Sequence, residues 1–499
     1  MATQENSLHF VLFPFMAQGH MIPMIDIARL LSKRDIIVTI LLTPYNHNRF
    51  KPVIDRSITS GLSIHISHLK ISTLETGLPE GCENADMTSS FDDTIKFIKA
   101  MFMLEHQVEQ ILEGLKPSVC CLISDMLYPW TANIAAKLRI PRLVFHGTSC
   151  FSLLFMHIIG LSKAFEDIVA SETEYFVVPY FPDRIEITKA QIKIASSQNP
   201  YEFAKMWEQM EEANKKAFGT VANTFEELEP AYIEGYEKAK GQKVWCIGPV
   251  SVCNEDELDK AERGNKASIN EHECLKWLDL QKSSSVIFVC LGSLSRLAGS
   301  QLIELGLGLE ASNRPFIWVI RNSSDEFKTW LKEEKFEERV KERGLLIHGW
   351  APQVLILSHS SVGGFLTHCG WNSTLEGITS GLPLMTWPLF ADQFFNEKFI
   401  VSVIKTGVKG GIEVPVIVGE EEKVGVQVKS DDIKMAIDEL MDGGEEGEER
   451  RVRARKLEEL AKSVPNEGGS SYRSITRLVQ DVVVQKAILV NDGKLDHDE

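Results

Sequence analysis

Short apolar runs of strand length alternate with segments of helical periodicity along most of this chain. The first half holds strand-like runs at residues 9–15, 36–43 and 119–125, with helical segments interleaved. The rhythm restarts at 285–291 and continues at 316–320. Alternating strands and helices are typical of a parallel sheet that is covered by helices on both faces. We therefore predict an α/β fold with two Rossmann-like, doubly wound domains that face each other across a cleft.

A polar stretch without a steady apolar period, residues 251–270, separates the two halves. A chain of 499 residues is long enough to form more than one domain. We expect an N-terminal domain at 1–250, a linker or surface loop at 251–270, and a C-terminal domain at 271–475. A C-terminal helix and tail complete the chain at 476–499, and we expect disorder from Asn491 onward.

The charge and the cysteines of the chain limit its partners and its compartment. A formal net charge of −17 at pH 7 argues against nucleic acid or an anionic membrane as partner, because both attract basic proteins. The polar start, followed by a short apolar run that Pro14 interrupts, does not predict an export signal. The longest uncharged apolar stretch, 143–161, contains several polar residues and is not expected to span a membrane. Nine cysteines, none in a CxxC pair, favour a cytoplasmic protein with reduced thiols. We also expect a monomer.

Residues 350–393 concentrate polar and aromatic side chains where predicted strands end and a helix begins. The turn 370–374 opens a short helix, and a helix N-terminus presents N–H groups and the positive end of a dipole to a phosphate. An indole can stack on a planar base, and carboxylate and amide groups can hold ribose and sugar hydroxyls. The residues that offer these groups are Trp350, His368, Glu376, Asp392 and Gln393. Together they describe a pocket for a nucleotide sugar.

His20 and Asp125 are the candidate catalytic residues of the first half. His20 follows the first predicted strand at the start of a helix, and a histidine can take a proton from an alcohol near neutral pH. Asp125 ends a later strand at the same edge of the sheet, where its carboxylate can orient an imidazole. From the residues alone, a helix-capping role for either side chain stays open.

The stretch from Trp350 to Gln393, WAPQVLILSHSSVGGFLTHCGWNSTLEGITSGLPLMTWPLFADQ, resembles without a gap the signature box of plant UDP-sugar-dependent glycosyltransferases. The blocks HFVLFPFMAQGHMIPM, CLISD, NTFEELEP, WCIGPV and WLDLQKSSSVIFVCLGS are similar to the same family. They look closest to the branch that glucosylates hormones, flavonoids and triterpenoids. The resemblance implies the two-domain GT-B fold, with acceptor binding at 1–250 and UDP-sugar binding at 271–475.

The resemblance also implies roles for individual residues. His20 is the implied base and Asp125 its support, in a single in-line displacement that inverts the anomeric carbon. The implied donor is UDP-glucose, since a closing glutamine, here Gln393, is associated with glucose. The acceptor is a hydroxyl of a small lipophilic metabolite, and neither a metal ion nor a permanently bound cofactor is implied. The full implied donor-binding set is Ser293, Trp350, Ala351, Gln353, His368, Trp371, Asn372, Ser373, Glu376, Asp392 and Gln393.

The lining of the acceptor pocket is the least defined part of the site. Apolar residues near the predicted cleft can form a broad pocket, although core packing is the alternative for each of them. These residues are Phe13, Phe15, Met16, Met126, Phe145, Phe151, Phe155 and Met156.

The sequence motifs required by other functions of doubly wound proteins are incomplete or misplaced in this chain. A nicotinamide-dependent oxidoreductase would place GxGxxG directly after a strand, but Gly306 and Gly308 fall inside a helical pattern. An α/β-hydrolase needs GxSxG, and residues 147–151 lack the last glycine. A nucleotide-sugar binding protein without catalysis stays an alternative, against which the presence of both His20 and Asp125 argues.

Overall fold

The computed structural model of the chain describes residues 7–73, 75–161, 171–192 and 200–495. Contacts group the chain into two compact units. The first comprises Met1–Gly147, Ser197–Glu255 and Val464–Glu499, and the second comprises Thr148–Ser196 and Asp256–Ser463. The predicted linker 251–270 is thus divided between the units, and Thr148–Ser196 belongs to the second unit although it follows most of the first in sequence.

A parallel sheet of seven strands forms the centre of the first unit, in the order β3-β2-β1-β4-β5-β8-β9. Its strands are β1 (His9–Phe13), β2 (Ile37–Leu42), β3 (Ile64–His68), β4 (Cys121–Asp125), β5 (Arg142–His146), β8 (Gly219–Ala222) and β9 (Lys243–Cys246). Strands β1, β4 and β5 are buried along their whole length, as expected of parallel strands covered on both faces. The strand order reverses between β1 and β4, and such sheets bind ligands at that point.

Helices alternate with strands along the first unit. They span Gln18–Ser32, Pro44–Thr59, Phe91–Phe102, Glu105–Gly114, Thr131–Lys137, Pro200–Lys215, Pro230–Lys240 and Ser470–Leu495. The Thr43 hydroxyl caps one of them by accepting the Asn46 N–H at 3.3 Å, and Pro44 takes the first helical position, where no N–H is needed. The last helix continues to Leu495, so the prediction of disorder from Asn491 is wrong for residues 491–495. Residues 496–499 lie outside the described residues.

The second unit repeats the design with six parallel strands in the order β12-β11-β10-β13-β14-β15. They are β10 (Val286–Cys290), β11 (Phe316–Ile320), β12 (Gly344–His348), β13 (Val362–Thr367), β14 (Leu384–Thr386) and β15 (Gly407–Lys409). The order reverses between β10 and β13, and Cys290 pairs with Thr367 at their carboxyl ends. The predicted α/β class with two Rossmann-like units is confirmed.

The second unit also holds a small antiparallel ribbon, β6 (Tyr175–Val177) with β7 (Glu186–Thr188). Its helices span Cys150–Leu161, Lys189–Ile192, Glu257–Ala261, Glu271–Asp279, Gly299–Ala311, Asp325–Glu333, Phe336–Val340, Gln353–Leu357, Trp371–Thr379, Gln393–Lys398, Glu421–Val424, Ser430–Leu440 and Glu445–Ser463. A π-helical turn, Phe399–Val403, follows one of them. Among the described helices, none combines the length and the apolar character needed to cross a bilayer.

Candidate active site

His20 and Asp125 meet at the switch point of the first sheet. His20 lies in the first turn of the helix Gln18–Ser32, which follows β1, and Asp125 is the last residue of β4. The distance from His20 Nδ1 to Asp125 Oδ2 is 2.6 Å. The carboxylate is fully buried, whereas the imidazole is 27% exposed. Because a carboxylate only accepts hydrogen bonds, Nδ1 carries the ring proton and Nε2 holds the lone pair that can take a proton.

Neighbouring groups fix the Asp125 carboxylate. Its Oδ1 accepts the backbone N–H of Leu127 at 3.1 Å, so both oxygens are engaged. Arg142 on the adjacent strand β5 donates to the Ser124 and Thr131 hydroxyls at 2.9 and 2.8 Å. Burial lowers the pKa of Arg142 to about 10, while the charge of Asp125 acts in the opposite direction.

Most of the apolar residues expected near the acceptor are core. Phe15 meets the His20 imidazole edge-on, with ring centroids 5.5 Å apart, and Phe13 stacks on Tyr128 at 3.9 Å. Within the second unit, Phe155 stacks on Phe395 at 4.4 Å. Two of the eight residues, Met126 and Met156, keep partial exposure, and the other six are buried.

The loops after β10 and β13 bring His368 against two glycines. Gly292, two residues after β10, has φ +83°, and a Cβ on it would lie 2.5 Å from the His368 ring. A Cβ on Gly370 would lie 2.4 Å from Nε2 of the same ring. Only glycine at both positions leaves room for the imidazole. Ser293 follows Gly292 directly, so two residues predicted to meet the diphosphate belong to this end of the sheet.

The His368 ring is neutral and has an unsatisfied nitrogen. Burial lowers its pKa to about 4, so the ring carries one proton at neutral pH. Its Nδ1 is buried and makes no hydrogen bond to any of the described residues. Buried polar atoms are normally hydrogen-bonded, so this nitrogen is able to take a partner from outside the described residues.

The helix Trp371–Thr379 begins three residues after His368, and its N-cap residue Gly370 makes no side-chain capping bond. The N–H groups of its first turn, which includes Asn372 and Ser373, therefore form the kind of helix start that binds anions. The Trp371 side chain is only 2% exposed, and its ring lies 6.0 Å from that of Phe399. The indole ring of Trp371 therefore belongs to the core, and its backbone N–H is the group that a ligand could contact.

Gln353 and Glu376 belong to one partly buried hydrogen-bond network. Gln353 Nε2 donates to Glu376 Oε2 at 2.6 Å and to Ser373 Oγ at 3.0 Å. The other carboxylate oxygen of Glu376 pairs with the guanidinium of Arg263. The side chain of Glu376 is 8% exposed, and a buried carboxylate of this kind needs such partners.

Trp350 follows β12 by two residues and keeps partial exposure. The guanidinium of Arg321 lies 4.8 Å from the centroid of its ring, a cation–π distance. The indole N–H of Trp350 makes no hydrogen bond to the described residues. Ala351, also in the predicted set, is part of the apolar core, so only its backbone is available to a ligand.

Asp392 and Gln393 open a helix whose fourth residue, Asn396, holds Asp392 in place. Asn396 Nδ2 donates to Asp392 Oδ2 at 2.9 Å, and the Thr148 hydroxyl donates to the same oxygen. Gln393 Oε1 accepts the backbone N–H of Leu389 at 2.8 Å. The side-chain NH₂ of Gln393 is therefore its hydrogen-bond donor.

Sequence reasoning missed Arg263, Arg321, Thr148 and Asn396. Asn396 stands four positions after Asp392, a spacing that puts both on one helix face, and this was the available signal. The others meet the predicted residues through contacts distant in sequence. In the described part of the chain, no group of three or more His, Cys, Asp or Glu side chains is arranged to hold a metal ion. A reaction without metal stays a prediction.

Two known protein families match the chain. The family described as "Glycosyltransferase, N-terminal domain" matches residues 6–252, and "UDP-glucoronosyl and UDP-glucosyl transferase" matches residues 263–418. UDP-glycosyltransferase 73E1 of Stevia rebaudiana is 54% identical over 97% of this chain and 98% of its own length.

Solved structures show the same similarity. UGT73P12 of Glycyrrhiza uralensis, complexed with glycyrrhetinic acid 3-O-monoglucuronide, has a TM-score of 0.90 and 36% identity and covers 99% of both chains. UGT2 of Phytolacca americana, complexed with UDP-2fluoro-glucose and pterostilbene, has a TM-score of 0.75 and 27% identity, covering 96% of this chain and 100% of its own.

Proposed function

The chain belongs to the plant UDP-glycosyltransferase family, and we propose that it is an inverting, UDP-glucose-dependent O-glucosyltransferase. Its acceptor is a hydroxyl of a small lipophilic plant metabolite: a flavonoid, a triterpenoid or steroid, or a hormone. The product is a β-glucoside. The observation that carries the proposal is the 2.6 Å hydrogen bond between His20 and the buried Asp125.

The dyad activates the acceptor. Nε2 of His20 removes the proton of the hydroxyl while the hydroxyl oxygen attacks the anomeric carbon of glucose. Asp125 keeps the ring in the required tautomer and stabilises the imidazolium that forms. The bond from the anomeric carbon to the diphosphate oxygen breaks, and UDP leaves with that electron pair. A single displacement of this kind inverts the configuration and needs no covalent intermediate on the protein.

The leaving diphosphate gains negative charge, which fixed donors must stabilise because the chain has a net charge of −17. His368, the Ser293 hydroxyl and the N–H groups near Asn372 and Ser373 supply these donors in the proposal. Such donors cost little reorganisation during the reaction, and they are often the largest contribution to catalysis. The unsatisfied Nδ1 of His368 supports a ligand at this position.

The remaining residues bind the nucleoside and the sugar. Trp350 stacks on uracil with Gln353 beside it, and Glu376 accepts hydrogen bonds from the ribose. Asp392 accepts hydrogen bonds from glucose hydroxyls, and the Gln393 amide donates one. The engagement of Gln393 Oε1 by the backbone supports this donor role.

Ligands of two neighbours support a small lipophilic acceptor. UGT73P12 is complexed with glycyrrhetinic acid 3-O-monoglucuronide and UGT2 with pterostilbene. A cytoplasmic monomer that needs no metal ion is part of the same proposal. The burial of all nine cysteines as thiols supports a reducing compartment.

The test is to incubate the protein with UDP-glucose and a panel of flavonoids, triterpenoids, steroids and cytokinins. Mass spectrometry should detect a hexose adduct of at least one acceptor, in the presence of EDTA as well, and NMR should identify the β-anomer. His20→Ala should still bind UDP and give almost no product. UDP binding without product from any acceptor would instead favour a non-catalytic nucleotide-sugar binder.

A further inference from the structure

Residues 262–268, which we call the strap, pack against Trp350, the first residue of the stretch 350–393. The Ser268 N–H donates to the Trp350 carbonyl at 2.7 Å, and the Trp350 N–H donates to Ser268 Oγ at 3.0 Å. Gly264 has φ +103°, and a Cβ on it would lie 2.4 Å from the Trp350 ring. A glycine is therefore required for the strap to approach the indole this closely. This segment was expected to be a linker or surface loop, and it packs against Trp350 of the predicted donor-binding set.

Arg263 extends from the strap to Glu376. Both side chains are 8% exposed and form an ion pair, and Gln353 Nε2 holds the second oxygen at 2.6 Å. Each carboxylate oxygen has two acceptor positions. One position on each oxygen is thus taken by the protein, which leaves an acceptor position on each for the two hydroxyls of a ribose diol.

We infer that Arg263 is a positioning residue for ribose recognition, because its guanidinium fixes the Glu376 carboxylate in the orientation that a 2′,3′-diol requires. The inference rests on the proposed assignment of Glu376 to ribose. Arg263 also offsets the charge of Glu376, which would otherwise repel the approaching diphosphate. The strap therefore contributes to the choice of nucleotide, beyond joining two parts of the chain.

The experiment measures the dissociation constants of UDP and 2′-deoxy-UDP by calorimetry. We expect wild type to prefer UDP on the order of tenfold to hundredfold, since a buried carboxylate loses a hydrogen bond with the deoxy ligand. Arg263→Ala should weaken UDP binding far more than 2′-deoxy-UDP binding, so that the preference falls toward unity. Arg263→Lys keeps the charge but not the planar fork and should retain part of the preference.

Two further variants separate positioning from general damage. Arg339→Ala removes an arginine that pairs with Glu310 at 2.8 Å on the surface of the same unit and should leave the preference unchanged. In Glu376→Gln the preference should already be lost, and adding Arg263→Ala should lower it no further. Thermal melting verifies folding, and if Arg263→Ala does not fold, the partial loss in Arg263→Lys carries the test.

Equal weakening of both ligands in Arg263→Ala, an unchanged preference, or no preference in wild type would each overturn the inference. Glucoside formation by wild type is measured separately. If wild type makes the glucoside but the preference for UDP over 2′-deoxy-UDP does not change in the Arg263 variants, only the positioning role fails. If no glucoside forms while the preference responds, the proposed function fails and the positioning role stands.

Discussion

Replacing Asp125 by asparagine should reduce kcat for glucose transfer by about 10³–10⁴ through a change of imidazole tautomer. The Leu127 N–H donates to Oδ1 at 3.1 Å, so the carbonyl oxygen of the new amide stays on that side. The amide NH₂ then faces Nδ1 of His20, where the carboxylate oxygen lay at 2.6 Å. Because the NH₂ donates, the ring proton moves to Nε2, and that nitrogen can no longer accept a proton from the acceptor.

The expected loss corresponds to about 4–5.5 kcal/mol of transition-state stabilisation. Asp125 is fully buried, so bulk water cannot compensate for the new amide. Asp125→Ala should cost less than Asp125→Asn, since a water molecule in the vacated space can still accept the Nδ1 proton. This order distinguishes a tautomer effect from a packing effect, which would make the larger truncation worse.

The assay measures initial rates of UDP release at saturating UDP-glucose and acceptor, with UDP affinity determined separately. Asp26→Asn is the matched control, because Asp26 is also buried in the first unit and accepts a hydrogen bond from Asn254 at 3.0 Å. It should reduce stability while leaving kcat nearly unchanged. If Asp125→Asn kept more than about a tenth of kcat, or if Asp125→Ala were the slower variant, the assigned role of the dyad would be refuted.

Three other perturbations test separate parts of the molecule. His368→Ala should weaken UDP binding roughly tenfold and uridine binding much less; equal losses in calorimetry would place His368 away from the diphosphate. Burial lowers the pKa of His146 from 6.5 to about 4, so the unfolded state takes up a proton first as pH falls. The contribution of this group to the free energy of unfolding is fully present above pH 6.5 and is lost as the pH falls toward 4, by up to about 3 kcal/mol. Denaturant unfolding at several pH values should show that the free energy of unfolding depends less on pH in His146→Asn than in wild type. In competition at equal concentrations, UDP-glucose should react several-fold faster than UDP-galactose or UDP-glucuronate, because Asp392 and Gln393 bond specific hydroxyls; success of either rival would remove the glucose assignment.

The central strands were predictable because their sequences are apolar on both faces. β1, with the sequence HFVLF, and β10, with VIFVC, are buried at every position, so apart from His9 each appears as an unbroken apolar run. Edge and short strands lack that signal. β3 reads IHISH with mixed burial, and β15 has only three residues, so neither was predicted.

The sequence predicted that His20 and Asp125 lie at the same edge of the sheet, but not that they are in contact. Parallel strands place their carboxyl ends at one edge of a sheet, so both residues were expected there. Whether they touch depends on β4 lying beside β1, with β2 and β3 on the other side. Strand order is set by crossover connections and packing, which the local sequence does not encode.

The carboxylates of Asp125 and Glu376 show that a sequence motif identifies a functional side chain better than it identifies the residue that pairs with it. Asp125 is paired with a residue 105 positions away, and Glu376 with one 113 positions away. A buried carboxylate must have such a partner, because an unpaired charge in the interior is too costly. The sequence therefore implies that a partner exists once burial is inferred, but its identity depends on the fold. Arg263 stands in a segment without periodicity, so only the packed structure shows that it supports the acid expected to hold the ribose.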